Sequence, residues 1–396
     1  MGEMKTIYLD HCATTPIRDE VLESMMPFLR DQFGNPSSTH AKGVRAREAV
    51  EKARQQVATL IGALPAEIYF TSGGTEANNL ALQGSVQAGR QRGNHVIMSS
   101  VEHPSVLKTC EYLSSQGYRM TSLPVDKDGL VNPDGIRKAI TKETILVTIM
   151  HANNEVGTIE PIQSVRKVVG SEKVLIHTDA VQTVGKIPVD VKELDVDLLS
   201  LSAHKFYGPK GVGALYIREG TPLAPLLYGG GQEKGLRSGT ENVAAIVGLG
   251  AACELALREM DDERKRLTRL RDKLQDLILE KVPSAVMNGH PQQRLPHVLN
   301  VSVPNLSGTD LVEEMDRQGV FVSSGSACKS HRAEISHVLS ALGVAPELAK
   351  GAVRFSLGRN LSEEDMDAAA EAFARATDRL KTLSELEQSL GFRRCF

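Results

Sequence analysis

The chain of 396 residues is poor in cysteine, in surplus charge and in long apolar runs, and each shortage closes a class of function. Five cysteines, at 12, 110, 253, 328 and 395, form no Cys-x-x-Cys pair and no metal-ligand spacing, so neither a disulfide framework nor a metal site is expected. A sparse, odd count suits free thiols in a reducing compartment. With 46 Lys and Arg against 49 Asp and Glu, the net charge is −3, and direct nucleic-acid binding is not expected. No run approaches the roughly 18 apolar residues that span a bilayer, and the N-terminus has no signal-peptide core. These features predict a cytoplasmic protein with no membrane partner. Internal repeats and low-complexity tracts are also missing. What remains is an ordinary globular composition, 41% hydrophobic and 24% charged, in a chain long enough to split into two domains.

The middle of the chain alternates short apolar runs with helical stretches. Strands are predicted near 68 to 71, 95 to 99, 145 to 150, 174 to 178, 198 to 202 and 213 to 217, which implies an α/β fold with a mostly parallel sheet. A ligand would then sit at the carboxyl ends of the strands. The alanine-rich face of 44 to 61 predicts a helix that stops at Gly62, and 241 to 282 reads as one long helix with a charged outer face. Beyond it, His297 to Val303 alternates like a half-exposed strand, followed by a helix from about Asp310 to Gln318.

Three segments carry chemistry. Leu198-Leu199-Ser200-Leu201-Ser202-Ala203-His204-Lys205 delivers a lysine at the end of an apolar strand, where desolvation makes it a candidate Schiff-base former. Val174-Leu175-Ile176-His177-Thr178-Asp179 ends in an acid that can face the ring nitrogen of pyridoxal phosphate, and Gln182 follows three positions later. Ser72-Gly73-Gly74-Thr75-Glu76 opens a helix whose free amides suit a phosphate, with the Thr75 hydroxyl as an added donor. Each piece alone describes many α/β connections, but together they supply phosphate cradle, ring partner and lysine in one chain.

With these segments on view, the chain resembles the cysteine desulfurases of the NifS and IscS type, within the class V aminotransferase group. The likeness runs through Tyr8-Leu9-Asp10-His11-Cys12-Ala13-Thr14-Thr15-Pro16, Gly34-Asn35-Pro36-Ser37-Ser38, Gly73-Gly74-Thr75-Glu76, Glu102-His103 and His151-Ala152-Asn153-Asn154-Glu155-Val156-Gly157. It continues through Asp179, His204-Lys205, Arg237-Ser238-Gly239-Thr240, Ser324-Gly325-Ser326-Ala327-Cys328 and Arg354-Phe355-Ser356-Leu357-Gly358-Arg359. The resemblance implies a pyridoxal 5'-phosphate enzyme of fold type I with a seven-stranded-type sheet. Its large domain would span 14 to 261, and a small α+β domain would join 1 to 13 with 262 to 396.

It also implies roles for single residues. His103 would stack on the pyridoxal ring and assist proton transfer, and Gln182 would meet the ring's phenolic oxygen. Thr75, Ser202 and His204, with the amides of Gly74 and Ala203, would hold the phosphate, while Thr240 would reach the phosphate of the other subunit in a homodimer. Arg354 would take the substrate carboxylate with help from Asn154, and Arg359 competes for the same task. Cys328, in a small polar stretch with Lys329 beside it, would receive sulfur from L-cysteine as a persulfide, leaving L-alanine, and pass it to an acceptor protein. An iron-sulfur scaffold or a thiolation partner would be that acceptor. Cys12 is read as structural, and Cys110 and Cys253 as small buried hydrophobes.

The chain departs from the family pattern after Cys328. Lys329 stands where threonine is usual, His331 and Arg332 replace small or neutral residues, Ile335 replaces a common proline and Ser340 a common arginine. These changes bear on the acceptor more than on the catalytic step. The competing readings are a selenocysteine lyase or an aminotransferase on the same fold, and a non-catalytic scaffold; the last would be expected to lose the lysine, the acid or the thiol.

Overall fold

A computed structural model describes residues 6–170, 173–324 and 335–389. Its strands are β1 (Ile7–Tyr8), β2 (Ile68–Thr71), β3 (His95–Ser99), β4 (Arg119–Leu123), β5 (Thr144–Thr148), β6 (Leu175–Asp179), β7 (Leu198–Ser202), β8 (Gly213–Ile217), β9 (Val286–Asn288), β10 (Val298–Ser302), β11 (Val320–Phe321) and β12 (Ala352–Ser356). Seven of them form one sheet in the order β2-β8-β7-β6-β5-β3-β4, in which β8 runs against both neighbours and the other pairings are parallel. Every residue of β5, β6, β7 and β8 is buried, as expected for strands covered by helices on both faces.

The six predicted strands are present within one or two residues. β4 escaped the sequence reading because Arg119, Met120, Thr121 and Ser122 are at least partly exposed, the pattern of a polar sheet edge. Polar residues inside the sheet pair across strands. His177 joins Thr148 Oγ1 at 2.8 Å through Nδ1 and Ser200 Oγ at 3.0 Å through Nε2, so neither buried nitrogen is left alone.

A second core lies on the antiparallel sheet β12-β10-β9, the short parallel pair β1 and β11, and the far half of the long helix Val243–Lys281. Ile7 and Leu9 belong to this core together with Leu274, Phe355 and Phe373, whereas Val21 through Leu255 supply the core under the large sheet. One expectation needs correcting. β10 is buried along its whole length rather than half-exposed. Its polar positions face other chain segments instead of water: Asn288 Nδ2 donates to Asn300 Oδ1 and Ser302 Oγ at 2.7 and 2.8 Å, and Asn300 Nδ2 donates to the Glu155 carbonyl at 3.1 Å. Among the described residues, no helix is long and apolar enough to cross a membrane.

Candidate active site

At the carboxyl ends of β6 and β7 opens a cavity of about 510 Å³. Gly74, Thr75, His103, Asn154, Asp179, Gln182, Ser202, His204, Lys205 and Arg354, all singled out in the sequence, line it together. Asp179 is the last residue of β6 and Lys205 sits three positions beyond β7, in a single turn of 3-10 helix. Two residues on, Tyr207 holds a positive φ of 68°, a conformation that a bulky residue adopts only when its surroundings enforce it. Its amide donates to Thr15 Oγ1 at 2.8 Å, which ties the lysine turn to the N-terminal segment.

Burial is the main force on the lysine, pushing its amine below the usual range, and the Arg354 charge adds to the effect. Lys205 Nζ donates to the carbonyls of Cys12 and Ala13 at 2.6 and 2.8 Å, and Gln182 Nε2 donates to the same Cys12 carbonyl at 3.2 Å. The Cys12 side chain is buried, with Sγ 3.7 Å from His297 Nε2. Burial also lowers His103, with Lys205 and His337 acting in the same direction and Asp179 opposing them. His204 falls to about 4 through burial and the neighbouring Lys205 and Lys210, so it is neutral at physiological pH.

The turn before the helix Gly74–Ala88 fits a phosphate. Gly73 has φ 149°, and a Cβ on Gly74 would lie 2.7 Å from Val181 Cγ2, so a side chain there would have to push Val181 aside. The Ala203 amide is a correction: it already donates to the Val212 carbonyl at 3.2 Å and is not free for a phosphate. Thr240 is exposed and does not line this cavity. Cys328 lies outside the described residues, as do Lys329, His331 and Arg332. The two arginines line different cavities. Arg354 is 6% exposed and enters the cavity, where Nη1 donates to the Asn154 carbonyl at 3.0 Å and Nη2 to Asp10 Oδ1 at 2.7 Å. Its Nε has no partner among the described residues. Arg359 instead pairs with Glu259 in a separate cleft.

Residues 7–369 match the model of the family described as aminotransferase class-V. The chain belongs to that family. Within it, the chain sits among the cysteine desulfurases. It is 52% identical over 384 residues to the cysteine desulfurase IscS of Dictyoglomus turgidum, covering 97% of this chain and 98% of the relative. Identity is 48% to the IscS of Methanosarcina thermophila, over 97% of this chain and 95% of that one. Among solved structures, a NifS-like protein superposes with a TM-score of 0.90 at 41% identity, over 95% of this chain and all (100%) of that chain. A structure of SspA in complex with cysteine gives a TM-score of 0.77 at 38% identity, over 89% and 99% of the two chains.

Other residues in or beside this class-V enzyme's cavity were given no role in the sequence reading. Asp10 pairs with Arg354, and Glu155 Oε2 accepts the Ser336 hydroxyl at 2.5 Å. His337 lines the cavity, its Nε2 3.0 Å from the Glu102 carbonyl. Asn78 and Ser105 sit between Asp179 and His103. Asp10 and Glu155 lie inside segments that did attract notice, and Asn78 two residues beyond one, yet their spacing carries no sign of what they face.

Proposed function

We propose that the protein takes sulfur from L-cysteine, releases L-alanine, and carries the sulfur as a persulfide on Cys328 to an acceptor protein. The observation that carries this reading is the convergence of Lys205, Asp179, His103 and Arg354 on one cavity. Pyridoxal phosphate, when bound, supplies an electron sink conjugated to the substrate's α-carbon. The residues fit it: a buried carboxylate for the ring nitrogen, a desolvated amine, and a glycine turn opening a helix for the phosphate. Thr75, Ser202 and His204 surround that turn as side-chain donors.

Asp179 holds a proton at the ring nitrogen. Lys205, with its amine eased toward the neutral form by burial, removes and returns the proton at the substrate's α-carbon. Arg354 receives the substrate carboxylate with the part of its guanidinium that lines the cavity, and Asn154 adds a donor beside it. The Cys328 thiolate attacks the substrate sulfur, so that an S–S bond forms while the C–S bond breaks, and its electron pair stays on carbon to take up a proton. An acceptor thiolate then removes the terminal sulfur and restores Cys328. Thr240 on the exposed surface serves the neighbouring subunit of a homodimer in this reading. The acceptor belongs to iron-sulfur assembly or a thiolation pathway, and the compartment is the cytoplasm. The two largest cores fall on either side of a division at 14 to 261, with 1 to 13 joining 262 to 396, which supports that division, and two smaller clusters bridge it.

The test supplies L-cysteine to purified protein and follows alanine and protein-bound sulfur together, with mass spectrometry locating the added atom. One sulfur on Cys328 is expected, along with loss of the yellow absorbance in Lys205→Ala. Alanine formed at the normal rate with no sulfur ever on Cys328 would overturn the assignment.

A further inference from the structure

A buried chain of hydrogen bonds links the two cavity residues that would face the coenzyme ring. Asn78, 1% exposed, places Nδ2 2.7 Å from Asp179 Oδ2 and 2.8 Å from Ser105 Oγ. Ser105 Oγ in turn lies 2.8 Å from His103 Nδ1. The polarity of this chain follows from what each group can do. An ionised carboxylate only accepts, so Asn78 must turn its NH₂ toward Asp179, and the second hydrogen of that NH₂ goes to Ser105. Ser105 Oγ therefore accepts from Asn78, and its own proton points to His103 Nδ1. The Ser105 backbone N–H also aims at Nδ1, at 3.1 Å, and it cannot turn away because the helix Pro104–Ser115 holds it there. Two donors meet at one ring nitrogen, so Nδ1 must offer its lone pair. This orientation leaves Asn78 Oδ1 buried without a partner among the described residues, a cost that the reverse orientation would exchange for an oxygen facing a carboxylate.

We propose that Asn78 and Ser105 are positioning residues that lock His103 in the Nε2–H tautomer and hold it neutral. Protonation at Nδ1 would set an N–H against two donors. The charged and titratable groups facing the ring are Asp179 at the end of β6, Lys205 beyond β7, and His337 on the helix His337–Ala341. Asp179 favours the charged imidazole, Lys205 and His337 oppose it, and burial opposes it most. The tautomer stands apart from any assigned reaction. Its consequence, a fixed N–H donor in the cavity beside the amine of Lys205, rests on the function proposed above.

Nitrogen NMR of protein labelled at its eleven histidines, with coenzyme bound, tests the proposal; His103→Gln identifies the signal of interest. His103 is expected as the Nε2–H form across the neutral range. Ser105→Ala and Asn78→Ala should each raise its titration by about half to one pH unit, and Ser105→Thr should restore it. The same rise should appear in the acid limb of the pH–rate profile. An Nδ1–H signal in the unaltered protein overturns the proposal without recourse to any variant. So does an unmoved titration in whichever alanine variant keeps its far-ultraviolet circular dichroism. Failure here leaves sulfur transfer to Cys328 untouched, and failure of that transfer leaves the tautomer result standing.

Discussion

Glu102→Gln should make this protein more stable, and increasingly so as pH rises. Glu102 is fully buried; Oε1 accepts the Ser99 hydroxyl at 2.6 Å and the Met150 amide at 2.8 Å, while Oε2 has no partner among the described residues. Burial pushes its carboxyl from 4.5 up to about 8, against the pull of those two hydrogen bonds and with added repulsion from Asp179 and Glu160. The folded chain therefore keeps a proton that the unfolded chain has already released. Stability is fully present below about pH 4.5, is lost as pH rises through about 8, and stays reduced above it. A displacement of that size corresponds to about 4 to 5 kcal/mol between the two protonation states. Glutamine keeps the shape and cannot ionise. The variant should match the unaltered protein near about pH 5 and exceed it by several kcal/mol at about pH 9. Urea unfolding followed by far-ultraviolet circular dichroism measures this, since the chain has no tryptophan to report it. Glu160, likewise raised to about 8 by burial, is a second source of the same slope, so Glu160→Gln and the double variant separate the two shares. A gap between Glu102→Gln and the parent that is constant with pH, or that narrows as pH rises, would refute the reasoning.

Two further expectations follow from the cavity. Arg354→Lys keeps the charge but loses the fork that reaches Asp10, Asn154 and an incoming carboxylate at once, so the KM for L-cysteine should rise about tenfold with kcat within about twofold. An unchanged KM would assign the carboxylate elsewhere. Gly213→Ala would place a Cβ 2.5 Å from the Leu201 carbonyl oxygen and 2.8 Å from Gly73, forcing the phosphate turn away from β8. Coenzyme affinity, titrated by absorbance, should fall about tenfold or more, the cost expected of an intrusion into packed backbone; full retention would show that the turn can give way.

Much of the large sheet was legible because its strands are covered on both faces and read as continuous apolar runs, as in Leu198 to Ser202. β4 and the burial of β10 were not. Alternating polar residues in Asn300 and Ser302 look the same whether they meet water or the amide of Asn288. The same limit applies to the cavity. Lys205, Asp179 and Gly74 announce themselves through the strand and turn that carry them, whereas nothing local in Asn78, or in Glu102 despite its place in a family motif, announces that the fold buries it.

By itself, the sequence determined the class of chemistry, since an amine at one strand end, an acid at another and a glycine turn before a helix are local facts that survive any packing. Only the tertiary structure decided which arginine enters the cavity, which amides are already occupied, and which carboxyls are held neutral. Those outcomes depend on desolvation and on partners hundreds of positions away, such as Asp10 for Arg354, and no local pattern records such distances.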